Sequence, residues 1–491
     1  MKPDILLYMS DQHSYRVQGN AGDSVVRTPM MDWLAQEGTS MVRAVTPCPL
    51  CVPARAAMIS GQLPSNNGVL FNFGSLHSDL ATFLHSLTAS GYETTLCGRM
   101  HFVGPDQRHG YAKRIAGDRT PVFHNRVQEL PETGGRKIVG FDENSSVHYI
   151  GTGDSPVLAY DRYVTEKAVA YLEEEHERPQ FFTVGIYGPH FPYVAPPELY
   201  NYYYDKVPLD DVVDQGEGHP ALEGKMQELD LEVVRAARAA YYGLVEVADQ
   251  NLASVYEAFQ AHLKRTGRKG VFIYLSDHGD MNGARGFFGK QVFYEPSIHI
   301  PFLVQGDGIP KGRQVSTPVS LLDVGPTICH LAGADILPGD GESILPLIQG
   351  EENPERAVVS EQYTYLSNGA SSLGRLVTWK NWKYITYSGY PEHDLLFDCA
   401  TDPEESHNVL VAHPEVAAHL QSVIANYKSP EQVLAHQEWV MQQLRYLIKC
   451  DFDDLEERWV CPGLPELEQF TCSKRPFSPT PWAKQLYKKL E

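Results

Sequence analysis

Short, largely apolar runs alternate with amphipathic stretches over the first two thirds of this chain. Residues 5–9, 181–187 and 271–275 have the length and composition of buried strands. Residues 160–175 and 231–264 carry apolar side chains at helical spacing. Strands that alternate with helices predict an α/β fold, in which a large and mostly parallel sheet is covered by helices on both faces.

The pattern changes after residue 365. Short strand-like runs separated by turns predict a small antiparallel sheet, followed by helices and an irregular tail. The strand-like runs are residues 376–379, 383–387 and 395–397, and the helical stretches are residues 414–427 and 431–448. We therefore predict two domains, an α/β domain over residues 1–365 and a smaller α+β domain with an antiparallel sheet over residues 366–491.

The charge balance restricts the classes of partner. The chain has 41 Lys and Arg against 62 Asp and Glu, which gives a net charge of −21. This balance argues against nucleic acid, because phosphate binding requires a basic face. A small anionic ligand remains compatible, since a local cluster of cations can lie inside an acidic shell.

The apolar runs are too short for a membrane span or an export signal. None approaches the roughly 18 residues that cross a bilayer, so we expect no membrane association. The N-terminal run, residues 5–9, is shorter than the roughly 7–15 apolar residues of a secretory signal. We therefore expect a cytoplasmic protein whose eight cysteines are reduced.

Polar residues follow the C-terminal ends of four predicted strands. The segments are Asp-Gln-His at 11–13, Gly-Arg-Met-His at 98–101, Gly-Pro-His at 188–190 and Ser-Asp-His-Gly-Asp at 276–280. Ligands of open parallel sheets bind beyond the carboxyl ends of the strands. Residues that are distant in the sequence are therefore expected to meet at one edge of the sheet.

Two of these residues, Asp11 and Asp277, would repel each other at that edge, and a divalent cation would remove the conflict. Gln12 offers a further oxygen and His278 a nitrogen. Oxygen ligands suit Ca²⁺, Mg²⁺ or Mn²⁺, and a nitrogen ligand favours Mn²⁺. The alternative is that each aspartate caps a following turn or helix.

Cys51 is expected to open a short helix that contains Arg55. A helix N-terminus stabilises an anion and lowers the pKa of a thiol, and residues four apart share one helix face. The alternatives are a small apolar core residue for Cys51 and a solvated charge for Arg55. A redox pair of Cys48 with Cys51 is a further alternative, but it needs a thioredoxin-like context that this proline-flanked segment lacks.

These residues resemble the sulfatase family. Residues 51–55, Cys-Val-Pro-Ala-Arg, match its Cys-x-Pro-x-Arg signature, and residues 98–101 match its Gly-Lys-x-His segment with Arg99 in place of lysine. Further matches in the family's order are Ala-Ala-Met-Ile-Ser-Gly at 56–61, Pro-His-Phe-Pro at 189–192, Asp-His-Gly at 277–279 and Lys290. The resemblance implies the alkaline-phosphatase-like fold of that superfamily.

The resemblance also implies the chemistry. A separate formylglycine-generating enzyme would oxidise Cys51 to formylglycine, an aldehyde whose hydrate attacks the sulfur of a sulfate ester and then collapses to release sulfate. One divalent metal ion would be held by Asp11, Gln12, Asp277, His278 and residue 51. Ca²⁺ is the first expectation and Mn²⁺ the alternative.

Roles for the other site residues follow from charge. Arg55, with the metal, would hold the sulfuryl oxygens and the nucleophile in place, and Arg99 and Lys290 would add positive charge where negative charge develops. Each such contact would contribute roughly 2–4 kcal/mol. His190 is the candidate general acid for the leaving oxygen, and His101 is the candidate base that helps the hydrate to collapse. These two assignments could be exchanged.

The expected substrate is a sulfate monoester of a small organic or sugar alcohol. The alternative is a phosphonate or phosphate ester, because these share the tetrahedral geometry. Gln12 with His278 resembles the branch of choline sulfatases and phosphonate monoester hydrolases, and residues 100–107 resemble choline-sulfatase-like proteins. Asn72 is a candidate contact to the substrate anion. Tyrosines 200 and 202–204 could stack on a cation or a sugar, but such clusters more often pack. A homo-oligomer is compatible with the sequence.

Overall fold

The computed structural model describes residues 2–118, 136–139, 150–212, 218–223, 225, 230–366 and 368–447. The tail that contains Cys450, Cys461 and Cys472 lies outside the described residues. The described part of the chain forms a large, mostly parallel sheet between helices and a separate antiparallel sheet. The predicted fold class is therefore confirmed.

The large sheet has eight strands. Its first strand, Asp4–Asp11, is buried along its whole length and pairs in parallel with Gly270–Ser276 on one side and Gln180–Pro189 on the other. Phe302–Gly306 runs antiparallel to both of its neighbours, and the other strands share one direction. Across the sheet the order is Arg313–Val315, Thr39–Met41, Phe302–Gly306, Gly270–Ser276, Asp4–Asp11, Gln180–Pro189, Glu93–Gly98 and Lys113–Ala116.

Side-chain alternation along the first strand separates two layers of core. Ile5, Leu7 and Met9 pack into one layer, and Leu6 and Tyr8 pack into the other. The first layer contains the helices Cys51–Ser60, Phe83–Ala89, Val324–Ala332 and Leu345–Gln349, and the second contains Pro29–Glu37, Pro156–Glu173 and Leu231–Thr266. Burial on both faces explains why this strand is apolar at every position from 5 to 9.

The antiparallel sheet has four strands in chain order, Ala357–Tyr365, Ser371–Trp379, Trp382–Tyr387 and Leu395–Asp398. The helices Pro414–Ile424 and Pro430–Leu447 pack against it. The sequence does not predict Ala357–Tyr365, because three buried polar residues, Ser360 to Gln362, interrupt its apolar pattern. The sheet therefore begins before residue 366, and the division of the chain into two domains stays a prediction.

Besides short 3₁₀ helices, the described part of the chain contains further short α-helices and strands. They are the helices Pro64–Asn67, Pro197–Tyr204 and Glu295–Ile298, the strand pair Ala44–Val45 with Val319–Ser320, and the three-stranded sheet of Arg136–Val139, Ile150–Thr152 and Tyr193–Ala195. Among the described helices, none combines the length and the apolar character that a bilayer crossing demands.

Candidate active site

The register of the central strands brings the two aspartates together. Ser10 lies opposite Ser276 in the parallel pair, so Asp11 and Asp277 leave the sheet side by side. Both carboxyl groups are completely buried. The backbone N–H of Gln12 donates to Oδ1 of Asp277 at 3.0 Å, which ties the two strand ends to each other. The expectation that these residues meet at one edge of the sheet is met.

Arg55 joins the two carboxylates. Its Nε donates to Oδ2 of Asp277 at 2.8 Å, and its Nη2 donates to Oδ2 of Asp11 at 3.1 Å. Its Nη1 donates to the carbonyl oxygen of Arg99 at 3.0 Å. The guanidinium is 1% exposed. Arg55 is therefore a buried bridge between the strand ends and not a solvated charge.

Cys51 is the first residue of the helix Cys51–Ser60, every residue of which is buried. Its Sγ lies 3.1 Å from Nε2 of His278, 3.2 Å from Nζ of Lys290 and 3.8 Å from Oδ1 of Asp11. Asn72 accepts the backbone N–H of Val52 through its Oδ1 at 3.0 Å. The asparagine therefore satisfies one of the free donors at the helix start, directly beside Cys51.

The group formed by Asp11, Cys51, Asp277 and His278 fits a divalent cation. Their potential ligand atoms all lie within 4.8 Å of one another and are buried. Nε2 of His278 is 3.9 Å from Oδ1 of Asp11 and 3.7 Å from Oδ1 of Asp277. Nδ1 of His278 lies 3.0 Å from the carbonyl oxygen of Gly279 and must donate to it, which leaves the lone pair on Nε2 toward the carboxylates.

Arg99 forms a second buried cation at the site. Its Nε donates to Oδ2 of Asp11, its Nη1 donates to Oδ1 of Asp118 at 3.2 Å, and its Nη2 lies 2.9 Å from Nδ1 of His101. The guanidinium carbon is 4.1 Å from the centroid of the Tyr187 ring. Arg99 thus links Asp11 to His101 while stacking on an aromatic face.

His101 is fixed by its neighbours. Its backbone N–H donates to Oδ2 of Asp118 at 2.7 Å, and its backbone φ of 54° lies in the left-handed region. Because the guanidinium of Arg99 can only donate, Nδ1 of His101 accepts, and the neutral imidazole carries its proton on Nε2. Burial and the charge of Arg99 lower the pKa of His101, which favours this neutral form.

His190 and Lys290 reach the site from two loops. Nδ1 of His190 lies 2.8 Å from the carbonyl oxygen of Phe191 and therefore donates to it. Nζ of Lys290 donates to Oε1 of Gln12 at 2.6 Å as well as contacting Cys51. One network of contacts thus joins ten of the sequence-predicted residues, namely Asp11, Gln12, Cys51, Arg55, Asn72, Arg99, His101, Asp277, His278 and Lys290. His190 shares an aromatic contact with Tyr187.

The buried charges shift the pKa values of several groups. Burial alone would raise the pKa of Asp11, but Arg99, His190 and Arg55 outweigh it and hold that pKa well below its ordinary value. Burial lowers the pKa of His278. The same cause, together with Lys290, holds the pKa of His190 well below its ordinary value. A neutral imidazole at position 278 is the form that binds a metal ion.

Two contacts of the site have no role in the sequence-based prediction, although residue 280 lies in one of its polar strand-end segments. Asp118 accepts from both Arg99 and the backbone of His101, and it follows the edge strand Lys113–Ala116. Asp280 accepts from Gln12. The rule that polar residues at strand ends form the site covers residue 280, and it misses Asp118 because the charged edge strand Lys113–Ala116 is not recognisable from its composition.

In the described part of the chain, Cys48 and Cys51 form no disulfide, and the tyrosine cluster packs against its neighbours. Cys48 and Cys51 are free thiols. Tyr200 and Tyr203 are buried against the long helix, and Tyr203 donates its hydroxyl to Glu246 at 2.6 Å. The ring of Tyr202 is covered by the guanidinium of Arg27, 4.0 Å from its centroid. The tyrosine cluster therefore packs.

Known proteins are similar to this chain over most of its length. Residues 3–334 match the family model described as Sulfatase, and residues 283–429 match the model described as N-sulphoglucosamine sulphohydrolase, C-terminal. A choline-sulfatase of Rhizobium meliloti (strain 1021) is 32% identical over 433 residues, which cover 83% of this chain and 82% of that protein. Arylsulfatase K of Gallus gallus is 30% identical over 469 residues, covering 87% and 83% respectively.

Solved structures agree with the fold. The phosphonate monoester hydrolase of Agrobacterium radiobacter superposes with a TM-score of 0.69 at 23% identity, covering 89% of this chain and 96% of that one. The resemblance in the motifs, the family model over two thirds of the chain and the curated relatives lead to one conclusion. The chain belongs to the sulfatase family and is a sulfuric ester hydrolase.

Proposed function

We propose that this enzyme hydrolyses a sulfate monoester of a small organic or sugar alcohol, with a formylglycine derived from Cys51 as the nucleophile. The observation that carries the proposal is the position of Cys51. Its Sγ touches the imidazole of His278 and the ammonium of Lys290 and lies beside the carboxylate of Asp11, at the start of a buried helix. The names of two relatives, choline-sulfatase and arylsulfatase K, support a sulfate ester as the substrate.

Two groups would complete the site. Formylglycine would supply a hydrate that attacks sulfur and can collapse afterwards, which a thiol cannot do. A divalent cation, Ca²⁺ or Mn²⁺, would supply Lewis acidity at the sulfuryl oxygens. The residues that would hold the cation are Asp11, Gln12, Asp277 and His278, together with residue 51.

The three cations divide into two kinds by their contacts. The nitrogens of Arg55 are taken up by Asp11, Asp277 and a backbone carbonyl. Arg99 is likewise committed to Asp11 and Asp118. We therefore propose that the two arginines position the carboxylates. Lys290 contacts Cys51, and we propose that it directly stabilises negative charge at the transferred group.

His101 and His190 differ in the nitrogen that they leave for proton transfer. Nδ1 of His190 donates to a carbonyl oxygen, so its Nε2 is the atom that exchanges a proton with a ligand. Nε2 of His101 carries the proton in the neutral imidazole, because Nδ1 accepts from Arg99. We propose His190 as the general acid for the leaving oxygen. Because burial and Lys290 keep the free imidazole neutral, with its proton on Nδ1, this role requires Nε2 to take up a proton when the substrate anion binds. The negative charge of that anion favours the protonated form. A base role for His101 requires that it first release its contact with Arg99.

The His190→Ala variant is expected to show a loss that depends on the leaving group. With a poor leaving group such as an alkyl alcohol, kcat should fall by about 10²–10⁴-fold, since the departing oxygen then needs a proton. With 4-nitrophenolate, which leaves without protonation, the loss should be much smaller. Steady-state kinetics with a series of sulfate esters measures the contrast, and equal losses across the series would rule out His190 as the acid.

The alternative function is hydrolysis of a phosphonate or phosphate ester, supported by the fold shared with a phosphonate monoester hydrolase. A matched pair of substrates separates the two. 4-Nitrophenyl sulfate and 4-nitrophenyl phenylphosphonate have the same leaving group and the same single negative charge. We expect kcat/KM to be at least about tenfold higher for the sulfate, a difference of about 1.4 kcal/mol. A preference for the phosphonate would favour the alternative.

A further inference from the structure

Asp280 lies behind the site and contacts it through Gln12. The side chain is 1% exposed, and all of its hydrogen bonds are to donors. Oδ2 accepts from Nε2 of Gln12 and from the hydroxyl of Tyr193, each at 2.6 Å. Oδ1 accepts from the backbone N–H groups of Asn282 at 2.8 Å and Gly289 at 3.0 Å. A carboxylate is therefore the group that fits this position, because an amide would bring a donor against a donor.

The partners of Gln12 fix which end of its amide faces the site. The carboxylate of Asp280 can only accept, so it takes the NH₂ group. The ammonium of Lys290 can only donate, so it takes the oxygen, at 2.6 Å. The amide oxygen is thus turned toward Lys290, whose Nζ contacts Cys51. The orientation of the amide follows from the chemistry of its partners.

Asp280 also holds the loop that carries Lys290, the residue that donates to the amide oxygen of Gln12. Its Oδ1 accepts from the backbone of Gly289, the residue immediately before Lys290, where the backbone φ is 70°. One buried carboxylate therefore holds both the amide of Gln12 and the loop that carries the ammonium. The backbone carbonyl of Gln12 is held separately, by the hydroxyl of Tyr241 at 2.6 Å.

We propose that Asp280 is a positioning residue that orients the Gln12 amide so that its oxygen, and not its NH₂ group, is presented to the cation site. This inference rests on the proposed function, because it assumes that the site binds a divalent cation. Outer residues that orient a metal ligand typically change the affinity by about 10–100-fold when they are lost.

The Asp280→Asn variant creates a conflict that has a specific remedy. The new NH₂ group must face other donors, either the backbone N–H groups of Asn282 and Gly289 or the NH₂ group of Gln12. If the Gln12 amide flips to avoid this clash, its own NH₂ group faces the ammonium of Lys290. A second change, Gln12→Glu, removes the conflict with residue 12, and the hydroxyl of Tyr193, which also faces this position, can rotate to accept from the new NH₂ group. The introduced glutamate accepts from the introduced asparagine with one oxygen and from Lys290 with the other, and the double variant has the net charge of the original pair.

The test is a double-mutant cycle on the affinity for Ca²⁺ and Mn²⁺, measured by isothermal titration calorimetry. Asp280→Asn is expected to weaken binding at least about tenfold when residue 12 is Gln, and less than about threefold when residue 12 is Glu. A role in charge alone, or in general stability, predicts the same loss in both backgrounds, and that result would overturn the proposal. If Asp280→Asn cannot be purified, the affinity of the double variant is compared with that of Gln12→Glu alone. A cation affinity that is about tenfold or more weaker in the double variant contradicts the inference.

Tyr193→Phe is the matched control. Tyr193 donates to the same oxygen of Asp280 as Gln12 does, so its loss removes a contact of equal length but leaves the carboxylate and the amide in place. We expect its affinity for the cation to stay within about threefold of the original. A loss as large as that of Asp280→Asn would contradict the inference. An original enzyme that binds neither ion would instead overturn the metal site of the proposed function, and this inference with it.

Discussion

The Cys51→Ala variant is expected to lose at least about 10⁴-fold in kcat/KM, because alanine has no thiol that can be oxidised to formylglycine. The buried helix start should tolerate alanine, since the neighbouring residues of that helix include three alanines. The folded protein should therefore be recovered with its catalytic function gone. Steady-state kinetics with 4-nitrophenyl sulfate measures the loss.

Cys48→Ala is the matched control for this variant. Cys48 is a free and fully buried thiol three residues earlier in the chain, and it is not among the groups that could hold a metal ion in the described part of the chain. We expect its kcat/KM to stay within about threefold of the original enzyme. Equal losses at the two positions would point to a joint role of both cysteines and contradict the proposal.

The mass of the peptide that contains residue 51 tests the conversion itself. In the active original enzyme we expect this peptide to be about 18 Da lighter than the encoded sequence, as the change from cysteine to formylglycine requires. A disulfide between Cys48 and Cys51 would make it only about 2 Da lighter. An active enzyme with an unmodified peptide would exclude formylglycine as the nucleophile.

The strand-end residues could be predicted because their strands are buried on both faces. Residues 5–9 and 271–275 are apolar throughout, so their ends are clear in the sequence, and the parallel register then fixes Asp11 beside Asp277. Asp118 follows a strand that begins with Lys113 and Arg114 at the sheet edge, and its composition is not that of a buried strand. The sequence therefore predicts those site residues that follow strands whose burial on both faces requires an apolar composition.

The partners of the site residues could not be predicted in the same way. The sequence places Arg55 on the face of Cys51, but it does not show that the guanidinium is taken up by two carboxylates. Such contacts depend on which rotamers the packing allows. The same limit applies to Asp280, whose proximity to Gln12 depends on a close approach of two loops. The hydrogen-bond partners of the site residues are therefore known only from the structure.

The Arg55→Met variant is expected to lower the free energy of unfolding by about 3–5 kcal/mol, because it removes one partner of a buried ion pair. Methionine fills similar space but carries no charge. Arg99 still pairs with Asp11, so Asp277 is the carboxylate that loses its ion pair. Urea denaturation in the presence of a chelator measures the change. A loss below about 1 kcal/mol would contradict the assignment of Arg55 as a bridge between the carboxylates.

Arg55→Lys provides the matched comparison. A lysine keeps the charge, but its single ammonium cannot reproduce the fork that reaches Asp11, Asp277 and the carbonyl of Arg99. We therefore expect a loss of stability between those of the original enzyme and Arg55→Met. An effect of Arg55→Lys as large as that of Arg55→Met would show that geometry, and not charge, is what Asp277 requires.

The unfolding free energy of Arg55→Met also tests where the proposed cation binds. A divalent ion between Asp11 and Asp277 would supply the positive charge that Arg55→Met lacks, so the variant should gain more from the ion than the original enzyme does. An ion present at about 100 times its Kd adds about 2.7 kcal/mol to a folded state that binds it. The gap in unfolding free energy between the two proteins should therefore narrow when Ca²⁺ or Mn²⁺ replaces the chelator. An unchanged gap would mean that the ion lies elsewhere, because a cation beside Asp277 cannot leave the energy of that unpaired carboxylate unaffected.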